Sequence, residues 1–318
     1  MEAVEALEIL SPGPLTTVQD LGRYGCGRYG VAPSGALDSL SLRIANLLVG
    51  NPEGEAGLEI TLLGLKARAL IDLAVAVTGG DLQPQLNEKS LTMWRLHEIR
   101  KGDILSFKAA TSGFRSYLAL GGGICVPAVM GSKSTNLSSG FGGFKGRPLQ
   151  KGDVLLCNSP HLYLNQAEKV FDVKRIPAYP REWGLRVLFG PQDDHFTQKV
   201  RDSFLNASYT VSSNSDRTGI RLDGPSIRKL EGMEDSIISE GVIYGTIQIP
   251  GDGQPIIILG ETVTGGYRKI ATVIRADIPL LGQVKPGEEV RFYQVSMEKA
   301  LESFRETEEM IARFKEGI

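Results

Sequence analysis

Cysteine is scarce in this chain: Cys26, Cys125 and Cys157 are odd in number and far apart. That excludes a disulfide framework and a CxxC metal site. Histidine is equally sparse. His97, His161 and His195 have no spacing that would mark a metal site or a Ser/His/Asp set, so no metal is assigned. No apolar run approaches the ~18 residues of a membrane span. The formal net charge of -2 leaves no electrostatic footprint for nucleic acid. The opening MEAVEALEIL is acidic and lacks a signal-peptide layout, so the expected setting is cytoplasmic, with no membrane and no nucleic acid as partner.

What is abundant is glycine, 38 residues in 318, which points to many tight turns. Short apolar runs bounded by Gly, Pro or Asp predict strands at 58–63, 71–78, 104–107, 114–120, 154–156, 185–189, 243–249, 256–259 and 271–274. Helical spacing is confined to three stretches. One follows Asp38, which reads as an N-cap with Ser41 at N3. A second is DDHFTQKVRDSFLN, with Phe196, Val200 and Phe204 on one face. The third runs from about Met297 to Phe314 and reads as packing or interface.

The two halves echo each other. VTGGD at 77–81 matches VTGGY at 263–267, and KGDILSF at 101 matches KPGEEVRF at 285, with KGDVLLC at 151 a third copy of the turn. Each half opens with a strand running into Gly-Pro. Two mainly-β units follow, with a boundary in the polar, Pro-containing 173–184.

The stretch TVQDLGRYGCGRYGVAPSGALD contains a formal GxGxxG at Gly25, Gly27 and Gly30. A dinucleotide turn must follow a strand and open a helix. Here QDLGRY precedes and VAPSG follows, and neither suits. GSKST at 131–135 is not a phosphate loop either, since Ser132 separates Gly131 from Lys133.

TVQDLGRxG, a Pro-x-Gly-Ala-x-Asp, RIANLLVGN and LEIT are followed by TGGD, SYLALGGGI, GSKST, GGFKGRPLQKGD, FGPQDD, SEGVIYGTIQIPGDGQPIIIL and TGGYRKIATVI. This order resembles the KipA/PxpC family, the C component of 5-oxoprolinase, also labelled allophanate hydrolase subunit 2, across nearly the whole chain. One departure stands out. Many members carry Asp-x-Gln-Thr-Thr before Gly-Gly-Tyr; here those positions are Gly260, Glu261, Thr262, Val263 and Thr264. The resemblance implies two tandem cyclophilin-like β-barrel units with a few short helices, at 1–178 and 179–295, then a C-terminal helix at 296–318. It implies ATP-dependent opening of the lactam of 5-oxoproline to glutamate, in a complex with KipI/PxpB-like and PxpA-like subunits. Two alternatives remain. One is a carboxyltransferase subunit acting on a urea-like amide, with biotin on a separate carrier. The other is a non-catalytic regulator of a KipI-type kinase inhibitor.

A lactam or ureido group is a poor electrophile, so its chemistry calls for donors at an oxyanion and a positioned base. Asp20 and Arg23 in QDLGR form a site charge pair or a salt-bridged turn. Asp81, after two glycines, is a site acid or a turn former. Glu240, between Ser239 and Gly241, completes the candidate catalytic set. Lys133 and Ser134 are candidates for an anion. Gln248, in an apolar strand, needs a structural or substrate amide partner. Gly265, Gly266, Tyr267 and Lys269 are candidates for ligand contact, with a solvated basic turn as the other reading. His195 reads as a surface residue in the first turn of the second helix.

Overall fold

The computed structural model describes residues 3–158 and 169–317; His161 lies outside them. Burial follows the strand period. Leu65–Ala69 alternates buried and exposed side chains from end to end, as a sheet with one wet face requires. Leu73–Asp81 is buried at every position but its last. The expectation of a mainly β protein with few helices holds. Among the described residues the α-helices are α1 (Ser39–Leu48), α2 (Gln198–Asn206), the single turn α3 (Ile278–Leu281) and α4 (Met297–Glu316).

Packing divides the chain into two units, and each draws on separate stretches of sequence. The first takes the residues through Arg23, Ser34–Ala178 and those from Ile311; the second takes Tyr24–Pro33 and Tyr179–Met310.

In the first unit two antiparallel sheets face each other. One orders Val154–Asn158, Ala3–Pro12, Leu65–Ala69, Ile104–Ser106, Gln85–Leu86 and Lys89–Ser90. The other orders Leu15–Gln19, Gly57–Thr61, Ser112–Leu120, Leu73–Asp81 and Leu96–Ile99. Leu7, Ile9 and Leu105 from one sheet meet Val18, Ile60 and Leu118 from the other in a single apolar core. The edge strand Leu15–Gln19 is not left open to another chain. Thr135 N donates to Val18 O at 3.0 Å and Leu149 N to Thr16 O at 2.9 Å.

The second unit is a closed barrel: Glu182–Phe189, Arg268–Val273, Thr246–Ile249, Ile256–Ile258, Gly219–Asp223, Tyr209–Val211 and Glu289–Gln294. Glu182–Phe189 and Glu289–Gln294 run parallel, and closure removes the exposed edges of an open sheet. A short ribbon, Glu240–Gly241 with Thr264–Gly265, forms outside the barrel.

Local sequence explains several details. Asp38 caps α1 as expected, accepting from Ser41 N at 2.9 Å and Ser41 Oγ at 2.6 Å. The second helix starts later than its periodicity suggested. Asp193–His195 is a 3-10 turn, Phe196 is extended, and Thr197 caps α2 by accepting from Val200 N. The glycine-rich stretch carries a 3-10 turn at Gly27–Tyr29, and α1 does not begin until Ser39. No helix opens on Gly30, so the GxGxxG is not a dinucleotide turn.

The repeated turn is structural. At 100–103, 150–153 and 285–288 the fourth residue's N–H bonds the first residue's carbonyl, at 2.9, 3.1 and 3.2 Å. The third residue is glycine, with φ of 93° at Gly102, 86° at Gly152 and 82° at Gly287, the left-handed position of a type II turn. In each, the fourth residue's carboxylate accepts from the first residue's amide: Asp103 at 2.8 Å, Asp153 at 2.7 Å and Glu288 at 3.1 Å. The other echo is one of sequence alone. VTGGD forms the tail of Leu73–Asp81, whereas VTGGY spans the ribbon and the entrance to Arg268–Val273.

Candidate functional site

In the first unit the predicted residues Asp20, Arg23, Lys133 and Ser134 converge. Asp20 follows the edge strand, and its carboxylate accepts from Gly22 N at 2.7 Å, Ser132 Oγ at 2.6 Å, Lys133 N and Ser134 Oγ. Ser134 Oγ in turn accepts from Asp20 N at 2.9 Å. Arg23, only 1% exposed, donates to Ser134 O and lies over the Phe141 ring, 4.8 Å from its centroid. Asp20 and Arg23 therefore both grip the segment 129–134. Lys133 Nζ pairs with Glu55 Oε1. The Lys133 N–H and the Ser134 hydroxyl are both spent on the Asp20 carboxylate, which leaves the Lys133 ammonium, already paired with Glu55, as the loop's remaining donor toward an anion. The geometry makes the cluster a clamp on the loop. Asp81 stands apart from it: its side chain accepts from Gln83 N at 2.7 Å, which is the turn-forming alternative.

Beneath α1 runs a buried polar chain that no sequence motif announces. Tyr117 Oη donates to Glu59 Oε2 at 2.8 Å and accepts from Asp38 N at 2.8 Å. Burial, then the charges of Glu59 and Asp38, push the Tyr117 hydroxyl pKa well above its usual value. Cys157 is a buried thiol raised to about 12, chiefly by burial. Burial is also the main cause lowering the His97 pKa.

In the second unit Glu240, Gln248, Gly265, Gly266, Tyr267 and Lys269 come together. Glu240 Oε1 accepts from Lys269 Nζ and from Gln192 Nε2, the latter at 2.8 Å. Gln192 Oε1 accepts from Lys269 N at 3.1 Å, so one amide fixes both charged residues. The Lys269 side chain is 7% exposed and that of Glu240 45%. Hydrogen bonds from Lys269 and then Gln192 hold the Glu240 carboxyl below the usual carboxylate range. Gln248 Nε2 donates to Tyr267 O at 3.5 Å. A Cβ on Gly265 would stand 2.2 Å from that nitrogen, and one on Gly266 3.2 Å from Ile237 O. Both glycines are there for close approach. Tyr267 is exposed at the edge of the cluster.

Two participants, Gln192 and Arg268, were not singled out from sequence. Gln192 lies in FGPQDD, and its partners Glu240 and Lys269 are 48 and 77 residues away. Arg268 is buried rather than solvated. Its Nε donates to His195 Nδ1 at 3.1 Å, and the His195 side chain keeps 31% of its surface exposed. Among the described residues no three His, Cys, Asp or Glu side chains cluster as a metal site would.

A buried ammonium and two carboxamides beside a half-exposed carboxylate can polarise an amide oxygen and exchange its proton. The chain matches the carboxyltransferase domain, subdomain A and B, over residues 29–294 and belongs to that family. It is 39% identical to the C component of 5-oxoprolinase from Escherichia coli (strain K12), over 93% of this chain and 94% of that protein. It is 34% identical to the C component of 5-oxoprolinase from Haemophilus influenzae, over 95% of both. The crystal structure of the K. lactis urea amidolyase superposes with a TM-score of 0.91 at 33% identity, covering 99% of this chain and 20% of that one. No helix among the described residues is long and apolar enough to cross a membrane.

Proposed function

We propose that the chain is the C component of an ATP-dependent 5-oxoprolinase, a lactam hydrolase that works with KipI/PxpB-like and PxpA-like subunits. The observation that carries this reading is the match to two 5-oxoprolinase C components over more than nine-tenths of each. In this reading the Lys269 ammonium and the Gln248 amide bind the lactam, Gln192 holds Lys269 and Glu240 in position, and Glu240, anionic at neutral pH, handles the lactam's proton. ATP is consumed as a co-substrate. The nucleotide is assigned to a partner, because the Lys133 N–H and the Ser132 and Ser134 hydroxyls of the GSKST loop all donate to Asp20 rather than to a cradle for phosphates.

Reconstitution with both partners tests the assignment. The complex should convert 5-oxoproline to glutamate as ATP is hydrolysed. Lys269→Met should lower kcat by about 10²–10³-fold, the usual loss when one oxyanion donor is removed. A complex that assembles but forms no glutamate with ATP overturns the reading. The family match and the urea amidolyase superposition favour carboxyl transfer from a carboxybiotin carrier to a urea-like amide as the second reading. Labelled carboxyl transfer to urea by the same preparation would establish it. Tight binding of a KipI-type protein with no turnover in any mixture would indicate a regulator.

A further inference from the structure

A pocket of about 360 Å³ opens in the second unit against the strands Thr246–Ile249 and Arg268–Val273. Strand register separates it from the Glu240 cluster. Gln248 pairs with Lys269 and Ile249 with Arg268, and neighbouring residues of a strand face opposite ways. Gln248 and Lys269 serve the cluster, while Ile249 and Arg268 line the pocket.

Arg268 is 4% exposed, and a cation so buried is ordinarily paired with an acid. Here its hydrogen bonds go to two acceptors that are not carboxylates, His195 Nδ1 at 3.1 Å and the Glu234 backbone carbonyl at 2.6 Å. No carboxylate of the described residues pairs with it, and Nη2 has no hydrogen-bond partner among them. Asp235, close enough to feel Arg268, is bound to Lys229. The walls around this guanidinium are mixed: Phe196, Ile227, Met233 and Ile249 give it an apolar side, and polar groups line the rest. Arg228 and Lys229 add two more cations and Glu231 an acid; Arg228 and Glu231 are exposed, and Lys229 is paired with Asp235.

We propose that this pocket binds a small organic acid, its carboxylate taken by Arg268 and its hydrocarbon part set against the apolar side formed by Phe196, Ile227, Met233 and Ile249. The volume is that of a small-ligand site, and a guanidinium fork matches a planar carboxylate. The apolar side formed by Phe196, Ile227, Met233 and Ile249 gives a hydrocarbon body a surface to cover, which inorganic phosphate lacks. The site does not depend on the 5-oxoprolinase reading.

Calorimetric titration of the full chain with cyclopentanecarboxylate, 5-oxoproline, 2-pyrrolidinone and inorganic phosphate tests this. The first two carry a ring and a carboxylate, the third a ring without the charge, and the last a charge without the ring. Cyclopentanecarboxylate should bind, 2-pyrrolidinone should not, and phosphate should bind at least tenfold more weakly than the acid. Arg268→Gln should weaken the acid at least tenfold. Met233→Trp, which fills the pocket and leaves Arg268 in place, should do the same, and unfolding curves will show which variants are native. Failure of cyclopentanecarboxylate to bind at millimolar concentration overturns the proposal. So does unchanged affinity in a folded Arg268→Gln or Met233→Trp protein, or binding of 2-pyrrolidinone or phosphate as tight as that of the acid. Binding of cyclopentanecarboxylate but not 5-oxoproline would leave the carboxylate site standing and exclude 5-oxoproline as its occupant.

Discussion

A methyl group at Gly265 would stand 2.2 Å from Gln248 Nε2, and a buried amide has little room to retreat. Gly265→Ala should cost about 1–3 kcal/mol in urea unfolding, the range for overpacking. Adding Gln248→Ala should recover part of that loss, giving a coupling of roughly 0.5–3 kcal/mol. Acid sensitivity belongs to the same scale. The Arg147 guanidinium, through hydrogen bonds of 2.7 and 2.8 Å, holds the Asp153 carboxyl below its usual range. A depressed native pKa means that the ionised form is the stabilising one. That stability is complete above the ordinary aspartate pKa and is lost as pH falls through the native value. Unfolding midpoints measured from pH 7 down to 3 should therefore fall, and Asp153→Asn should flatten the fall. Sequence disclosed what is local and little else at this scale. Asp38 and Ser41, three positions apart, revealed a cap, whereas Asp20 meets Ser132 and Ser134 across 112 and 114 residues. Polar residues in one sequence window cannot announce partners that the fold supplies from another.

At the scale of elements, the turns at 100–103, 150–153 and 285–288 offer a matched set. A Cβ at Gly102, Gly152 or Gly287 would touch nothing within 4 Å, so a glycine-to-alanine change there meets backbone strain alone. Each should lower stability by about 1 kcal/mol, and by nearly equal amounts. Gly122→Ala should cost more, since its Cβ would fall 1.8 Å from Asn158 O. Thermal melts of the four variants check the ordering. These turns were legible because glycine and an acid recur at fixed offsets before a β-run. The start of α2 was not. Acids and an i, i+4 stripe pointed to Asp193, but Phe196 is extended and Thr197 supplies the cap. Strand boundaries set by Gly and Pro were clearer than helix starts, where several residues compete for one capping position.

For the molecule as a whole, sequence pattern revealed two mainly-β units but not how the chain is shared between them. Barrel closure depends on pairings such as Glu182–Phe189 with Glu289–Gln294, more than a hundred residues apart, which periodicity does not encode. Nor does it reveal that Tyr24–Pro33 packs with the second unit. A fragment of residues 179–318 lacks that segment, and its melting temperature should lie below that of the same fragment with 24–33 fused to it. Equal values would show that the loop adds nothing to the barrel.

Phe314 meets the Phe171 ring edge-on, with centroids 5.0 Å apart, and Phe171 lies 5.6 Å from Trp94. All three belong to the first unit. During synthesis, then, the unit whose strands emerge first is finished late, when a phenylalanine from far downstream arrives. A polypeptide released before that point would carry a naked aromatic patch, the kind of surface that quality-control proteins bind.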